Sequence, residues 1–237
     1  MQIDSSAPLL AFDTSTDTLS VALRHAGRVQ VHTGAGGARA SATLVPVARA
    51  LLEQAGIRFG DLGAIVFGRG PGSFTGLRTA CAVAQGLAFG ARPGGLPVLP
   101  VDTLLAVAEE ARARHGTRQV VAAMDARMGE VYSCAYRYDA ASGRWQTAGE
   151  LSVAAPENVA VPSGWTLAGN ARAAYGERLG PGATSVAVLP TAEALLRLAP
   201  VLVAAGGLVA AADALPLYIR DKVAKTTAER MAEKAAA

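Results

Sequence analysis

Histidine and cysteine are scarce in this 237-residue chain, with three of the first and two of the second. His25, His32 and His115 form no HxxxH or HExxH pair, so the spacing that sets two imidazoles on one helix face for zinc is missing. Cys81 falls in an apolar helical stretch and Cys134 in a strand-like one, with no metal-like or redox-like spacing between them. Both read as buried reduced thiols, which suits a cytoplasmic setting. No GxSxG elbow occurs, and no Gly-Lys-Ser/Thr step closes a Walker A loop. A zinc hydrolase, a histidine-dependent nucleophile and a P-loop NTPase are therefore poorly supported. Residues Met1 to Pro8 lack a basic start followed by an apolar core, so no secretion signal is expected. The longest apolar run, Val201 to Ala212, is too short for a membrane span and reads as a buried helix between Pro200 and Asp213.

What is present points to an α/β protein. The chain is 51% hydrophobic and 17% charged, enough apolar material for a sizeable core. Its net charge of +3 suits an anionic partner such as RNA or nucleotide, yet no dense Lys/Arg run demands one. Leu9 to Phe12, Leu19 to Leu23 and Arg28 to Thr33 read as strands, the first two as a hairpin around Asp13 to Asp17. A helix capped by Ser41 or Thr43 should run to Ala55, with Leu44, Val47, Ala48, Leu51 and Leu52 on one face. Ile65 to Phe67 is a short apolar strand, followed by glycines and a helix from Thr75 to Phe89. Val98 to Val101 is another strand. A second unit starts near Asp102: a helix to Ala113, strands at Val120 to Met124, Val131 to Tyr138 and Thr166 to Ala168, then helices at Thr191 to Leu198 and Val201 to Ala212. Two α/β halves with mixed sheets are expected, residues 1–101 and 102–212, with 213–230 packing back on the first.

Four features carry chemical possibilities. Asp13-Thr14-Ser15-Thr16 places a carboxylate at a strand end before a hydroxyl-rich turn, suited to a metal-bound water and phosphate oxygens, or to capping its own backbone. Gly68-Arg69-Gly70-Pro71-Gly72-Ser73 leaves a strand and opens a helix. Its glycines permit close backbone approach, the helix offers free N–H groups, and Arg69 and Arg78 add positive charge. An anion site, an interface beside Phe74 and a plain turn all remain open there. Small residues Ala80, Cys81, Ala84, Gly86 and Ala88 on the next helix admit a closely packed helix, from this chain or another. Asp125-Ala126-Arg127-Met128-Gly129-Glu130 is a turn whose Asp125 would oppose Asp13 across a cleft between the halves.

Taken together, LAFDTST at Leu10 to Thr16, SVAL at Ser20, GRGPGSFTGLR at Gly68 to Arg78, AQGLA at Ala84, MDARMGEVY at Met124 and PLYIR at Pro216 resemble the bacterial TsaB (YeaZ) family, in order along nearly the whole chain. The resemblance implies an actin-like ATPase (ribonuclease H-like) fold of two related halves. It implies a non-catalytic part in forming threonylcarbamoyladenosine at position thirty-seven of tRNAs that read codons beginning with A. It implies partnership with the catalytic TsaD subunit, recruitment of the ATPase TsaE, and contact with tRNA only through that complex. In isolation a homodimer through the same helices is expected, and no membrane. No metal site or tightly bound cofactor is implied; ATP or ADP with magnesium is a candidate ligand of the complex, either at the candidate anion-binding residues Asp13, Thr14, Ser15, Gly70, Gly72 and Ser73 or at a joint interface. The implied partner face draws on Leu44, Val47, Leu51, Phe74, Arg78, Cys81, Ala84, Gln85 and Ala88. Members often carry a histidine near the start of the first helix, where this chain has Arg39-Ala40-Ser41-Ala42. An enzyme of the same fold, a small-molecule kinase or a metallopeptidase, is the alternative.

Overall fold

A computed structural model describes residues 3–220. Strands β1 (Leu9–Asp13), β2 (Thr18–His25) and β3 (Arg28–Ala35) form an antiparallel meander. Helix α1 (Ala40–Ala55) then leads to β4 (Ala64–Gly70), which joins β1 in parallel. Helix α2 (Phe74–Ala91) crosses to β5 (Val98–Asp102), completing a five-stranded mixed sheet of order β3-β2-β1-β4-β5. β1 and β4 are central, and their Leu9–Phe12 and 64–67 stretches are apolar and buried, as strands covered on both faces must be.

Helix α3 (Thr103–His115) opens the second unit, followed by β6 (Gln119–Arg127) and β7 (Glu130–Asp139). Three short strands missed in the sequence complete its sheet: β8 (Arg144–Thr147), β9 (Ser152–Ala154) and, beyond β10 (Thr166–Ala168), β11 (Ser185–Val186). The order is β11-β10-β6-β7-β8, with β9 also on β7. Between β10 and β11 lies the short helix α4 (Ala171–Tyr175).

Three expectations are corrected. Helix α1 begins at Ala40, and neither Ser41 nor Thr43 caps it; the Thr43 hydroxyl donates back to the Arg39 carbonyl at 3.0 Å from inside the helix. The two expected C-terminal helices are one, α5 (Ala192–Ala204), which passes straight through Pro200, while 205–212 form a turn and a short bridge of Val209 to Val98. The boundary at 212 also fails, because α5 leaves the second unit. Its Leu195, Leu196, Leu198 and Ala199 pack with Leu9, Ala11, Ala22, Val66 and Leu99 on the first sheet. That face of the sheet is apolar and needs a cover, since α1 and α2 occupy only the opposite one. Of residues 213–220, Leu217 meets the first half, its N–H donating to the Arg69 carbonyl at 2.7 Å, whereas Ile219 packs on the core of the second and Arg220 pairs with Glu130; residues 221–230 of the same expectation lie outside the described residues.

Candidate functional site

The turn after β1 and the loop before α2 meet backbone to backbone. Thr14 Oγ1 donates to the Gly76 carbonyl at 2.7 Å, and Ser73 N–H donates to the Ser15 carbonyl at 2.8 Å. Cβ atoms placed on Gly72 and Gly76 would lie 2.6 Å from Ser15 Cβ and 1.9 Å from the Thr14 carbonyl oxygen. The glycines here admit the chain's own backbone. The phosphate cradle that the sequence left open is filled by residues 14–15. Arg69 is also spoken for, paired with Asp102 at 2.5 Å, while Gly70 N–H donates to Thr103 Oγ1 at 3.1 Å. Arg78 lies 3.8 Å over the Phe74 ring and donates to Tyr218 Oη at 3.2 Å. Neither arginine is aimed at an anion.

Asp13 is fully buried. Its Oδ1 accepts from Ser15 N–H at 2.9 Å and Ser15 Oγ at 2.6 Å, whereas Oδ2 has no partner among the described residues and faces the bare Cα of Gly68. Burial pushes its carboxyl up to about 6, against the two Ser15 hydrogen bonds that pull it down. A carboxyl that holds its proton more tightly when folded lowers stability as pH rises from about 4 to about 6, a loss of about 3 kcal/mol. Above that window the loss is constant. Asp13→Asn should therefore flatten the pH dependence of the denaturation midpoint between pH 4 and 6; an unchanged slope would show that Asp13 ionises normally.

Between the halves lies a cleft of about 600 Å³. Of the candidate anion-binding residues, Ser15, Gly72 and Ser73 line it, but Asp13, Thr14 and Gly70 do not. Asp125 does not oppose Asp13. Instead Arg127 spans the cleft, 3.2 Å from Asp125 and 3.0 Å from Asp17 of the first half. Arg220 enters from the C-terminal segment and is ion-paired with Glu130. The Tyr175 hydroxyl lies 2.7 Å from Asp125, and desolvation and then that carboxylate push the phenol up to about 12. Three carboxylates thus outnumber two arginines, and this excess of negative charge does not fit a bare polyphosphate. Among the described residues no three of His, Cys, Asp and Glu converge as a metal site, and no helix is long and apolar enough to cross a membrane.

The expected partner face divides in two. Leu44, Leu51, Cys81, Ala84 and Ala88 are buried in the chain's own core, so they cannot meet a partner. On α2 the inward set is Leu77, Ala80, Cys81, Ala84 and Ala88, the i, i+3, i+4 stripe of a helix on a sheet. Val47 is half-buried, and Gln85 is engaged with the Ala214 carbonyl at 2.9 Å. Phe74 and Arg78 are exposed at one end, beside Tyr218. The outward residues that were missed are Val45, Ala82 and Phe89, the last 61% exposed; of the small residues named for close helix packing, Gly86 alone is exposed. The phase of the buried stripe identifies them; counting small residues does not.

A family model described as TsaD, tRNA N6-adenosine threonylcarbamoyltransferase, matches residues 28–235. The tRNA threonylcarbamoyladenosine biosynthesis protein TsaB of Escherichia coli is 37% identical over 226 residues, covering 91% of this chain and 96% of its own. The Haemophilus influenzae protein of the same name is 37% identical over 233 residues, covering 91% and 94%. Among solved structures, YeaZ from Pseudomonas aeruginosa matches with a TM-score of 0.82 at 43% identity, over 90% of this chain and 100% of that one.

Proposed function

Because this chain belongs to the TsaB (YeaZ) family of tRNA threonylcarbamoyladenosine biosynthesis proteins and has the actin-like ATPase fold, we propose that it is the non-catalytic partner of a TsaD-type threonylcarbamoyltransferase. The observation that carries this reading is the outward face of α1 and α2. Val45, Phe74 and Phe89 stand exposed there, and small Ala82 and Gly86 between them let another helix approach closely. The filled cradle at residues 14–15 and 72–76 favours a scaffold over a nucleotide-driven enzyme of the same fold. In this reading the face holds the TsaD subunit, the assembled pair recruits a TsaE-type ATPase, and nucleotide and magnesium bind only at the joint surfaces. Without TsaD the same face pairs two copies of the chain.

Gly86→Arg tests the assignment, because a Cβ at Gly86 meets nothing within 4 Å and the isolated chain should fold normally. Affinity for the TsaD subunit, read by co-purification and calorimetry, should fall at least tenfold, about 1.4 kcal/mol. An unchanged affinity would remove α2 from the interface. Failure of the unaltered chain to bind TsaD at near-physiological salt would remove the partner reading itself.

A further inference from the structure

A second concave site lies far along the chain from the glycine-rich loop, between α3, α5 and the β7–β8 hairpin. Its volume is about 220 Å³. Leu105, Leu198 and Leu202 form an apolar floor, and Tyr138 and Trp145, set edge to face at 63° with ring centroids 5.2 Å apart, form an angled aromatic wall, with Trp145 Nε1 held by Glu109 at 3.0 Å. Three arginines, Arg112, Arg144 and Arg197, line it with one carboxylate, Glu109. Glu109 is 3% exposed and lies beneath them.

The arginines are held in place. Arg112 Nε and Nη2 grip the two Glu109 oxygens at 2.9 and 2.8 Å, and its guanidinium lies 4.5 Å from the Tyr138 ring centroid. Arg197 Nε donates to Glu109 at 3.0 Å and its Nη2 to Glu110 at 2.5 Å. Each fork keeps Nη1 without a partner among the described residues. Arg144 is exposed and makes no ion pair within 4.0 Å among them, although it stands opposite Asp139 across the strands. Asp139 is turned to its own loop, accepting from Ala141 N–H and the Ser142 hydroxyl. The Tyr138 hydroxyl likewise has no hydrogen-bond partner among the described residues. A fixed guanidinium with one edge on a carboxylate and the other open is prepared for phosphate oxygens, at little cost in side-chain entropy. An aromatic wall beside it is prepared for a planar ring. The volume is below the roughly 300 Å³ of a site for a whole drug-sized ligand, so one ring system fits inside and the phosphate stays at the rim.

We infer that this groove binds a nucleotide of single-stranded RNA, its base against Tyr138 and Trp145 and its phosphate between Arg144 and the open edges of Arg112 and Arg197. The identification of the RNA as tRNA rests on the proposed part in tRNA modification; the nucleotide chemistry of the groove does not. A free mononucleotide shares that chemistry, and the experiment separates the two.

The full chain is titrated with unmodified tRNA, with a single-stranded RNA decamer, with AMP or UMP, and with inorganic phosphate, followed by photo-crosslinking and mapping of the linked residues. RNA should cross-link at Tyr138 or Trp145. Arg144→Glu should weaken RNA binding about tenfold and lower the salt dependence by about one phosphate contact, and Tyr138→Leu should weaken it by roughly as much. Arg144 is exposed and Tyr138 half-buried on the hairpin, and thermal unfolding of each variant verifies the fold. Mononucleotide binding that RNA does not compete with, lost in both variants, would make a free nucleotide the ligand and overturn the RNA assignment. RNA affinity unchanged by both variants, cross-links confined elsewhere, or binding of phosphate as tight as of nucleotide would overturn the groove altogether. Complex formation with TsaD is measured on the same variants: if it persists while RNA binding is unaltered, the groove fails and the partner reading stands.

Discussion

Replacing Gly76 by alanine should cost about 4 kcal/mol of folding stability, the range reached by few single substitutions. The added methyl would sit 1.9 Å from the Thr14 carbonyl oxygen and 2.9 Å from its carbonyl carbon, with backbone on both sides of the clash. No side chain can swing away to relieve it. Either the β1 turn or the first turn of α2 must move, and each movement breaks the Thr14 hydroxyl bond to the Gly76 carbonyl. Helix propensity acts in the opposite sense, because alanine is favoured over glycine within a helix by about 1 kcal/mol. Gly86→Ala on the same helix isolates that term, since its Cβ position is open. The pair should thus differ in sign in a urea titration of the isolated chain, Gly76→Ala strongly destabilised and Gly86→Ala slightly stabilised. If Gly76→Ala stays within about 1 kcal/mol of the parent, the turn and the helix are not in backbone contact, and the space between them is again available to an anion.

That contact explains what the sequence leaves undecided. Glycine permits the close approach of a ligand or of backbone, and the two uses leave the same letters at Gly72 and Gly76. The central elements are legible for local reasons: β1 and β4 are apolar runs of strand length, and α2 carries a 3.6-residue stripe. Boundaries move outward by one to three residues because polar ends such as Asp13, Gly70 and Asp102 continue the ladders. The destination of α5 is not legible. Leu195, Leu196, Leu198 and Ala199 announce a buried helix, but nothing local says that the first sheet rather than the second has an uncovered face. Pro200 reads as a stop, yet it removes only one backbone bond, and burial of the helix on that sheet carries the chain through it. The cleft is legible in its parts and not in its pairing. DARMGE supplies Asp125, Arg127 and Glu130, whereas the choice of Asp17 by Arg127 and of Glu130 by Arg220 depends on how the halves face one another.

The same long-range logic gives α5 its anchor, and Arg197→Met should lose about 2 kcal/mol by removing the charge-assisted hydrogen bonds to Glu109 and Glu110. Glu109 and Glu110 are 3% exposed each, on neighbouring positions of α3. Arg197 reaches across from α5 to both, while Thr191 at the helix start donates to Glu110 at 2.8 Å and Ser20 of the first sheet accepts from Ala192 N–H at 2.9 Å. Burial by itself would raise the Glu109 carboxyl. Hydrogen bonds from Arg112 and Trp145, with the charges of Arg112 and Arg197, outweigh it and hold the group below the usual glutamate value. A carboxyl held down in the folded state contributes stability above its unfolded value of about 4.5, and that contribution is lost as pH falls through the lower, folded value. Methionine keeps the apolar stem of the arginine and removes its charge, so Glu110 is left to Arg114 and Thr191, and Glu109 to Arg112 and Trp145. The deficit should be largest near neutral pH and should shrink below about pH 4.5, as protonation relieves Glu109, which has lost one of its two arginines. Arg197→Lys, which restores the charge without the two-pronged fork, should recover part of it. Denaturation of the three forms at neutral and acid pH decides the matter. A methionine variant as stable as the parent at neutral pH would mean that solvent screens the cluster and that α5 is held to the first sheet by apolar burial alone.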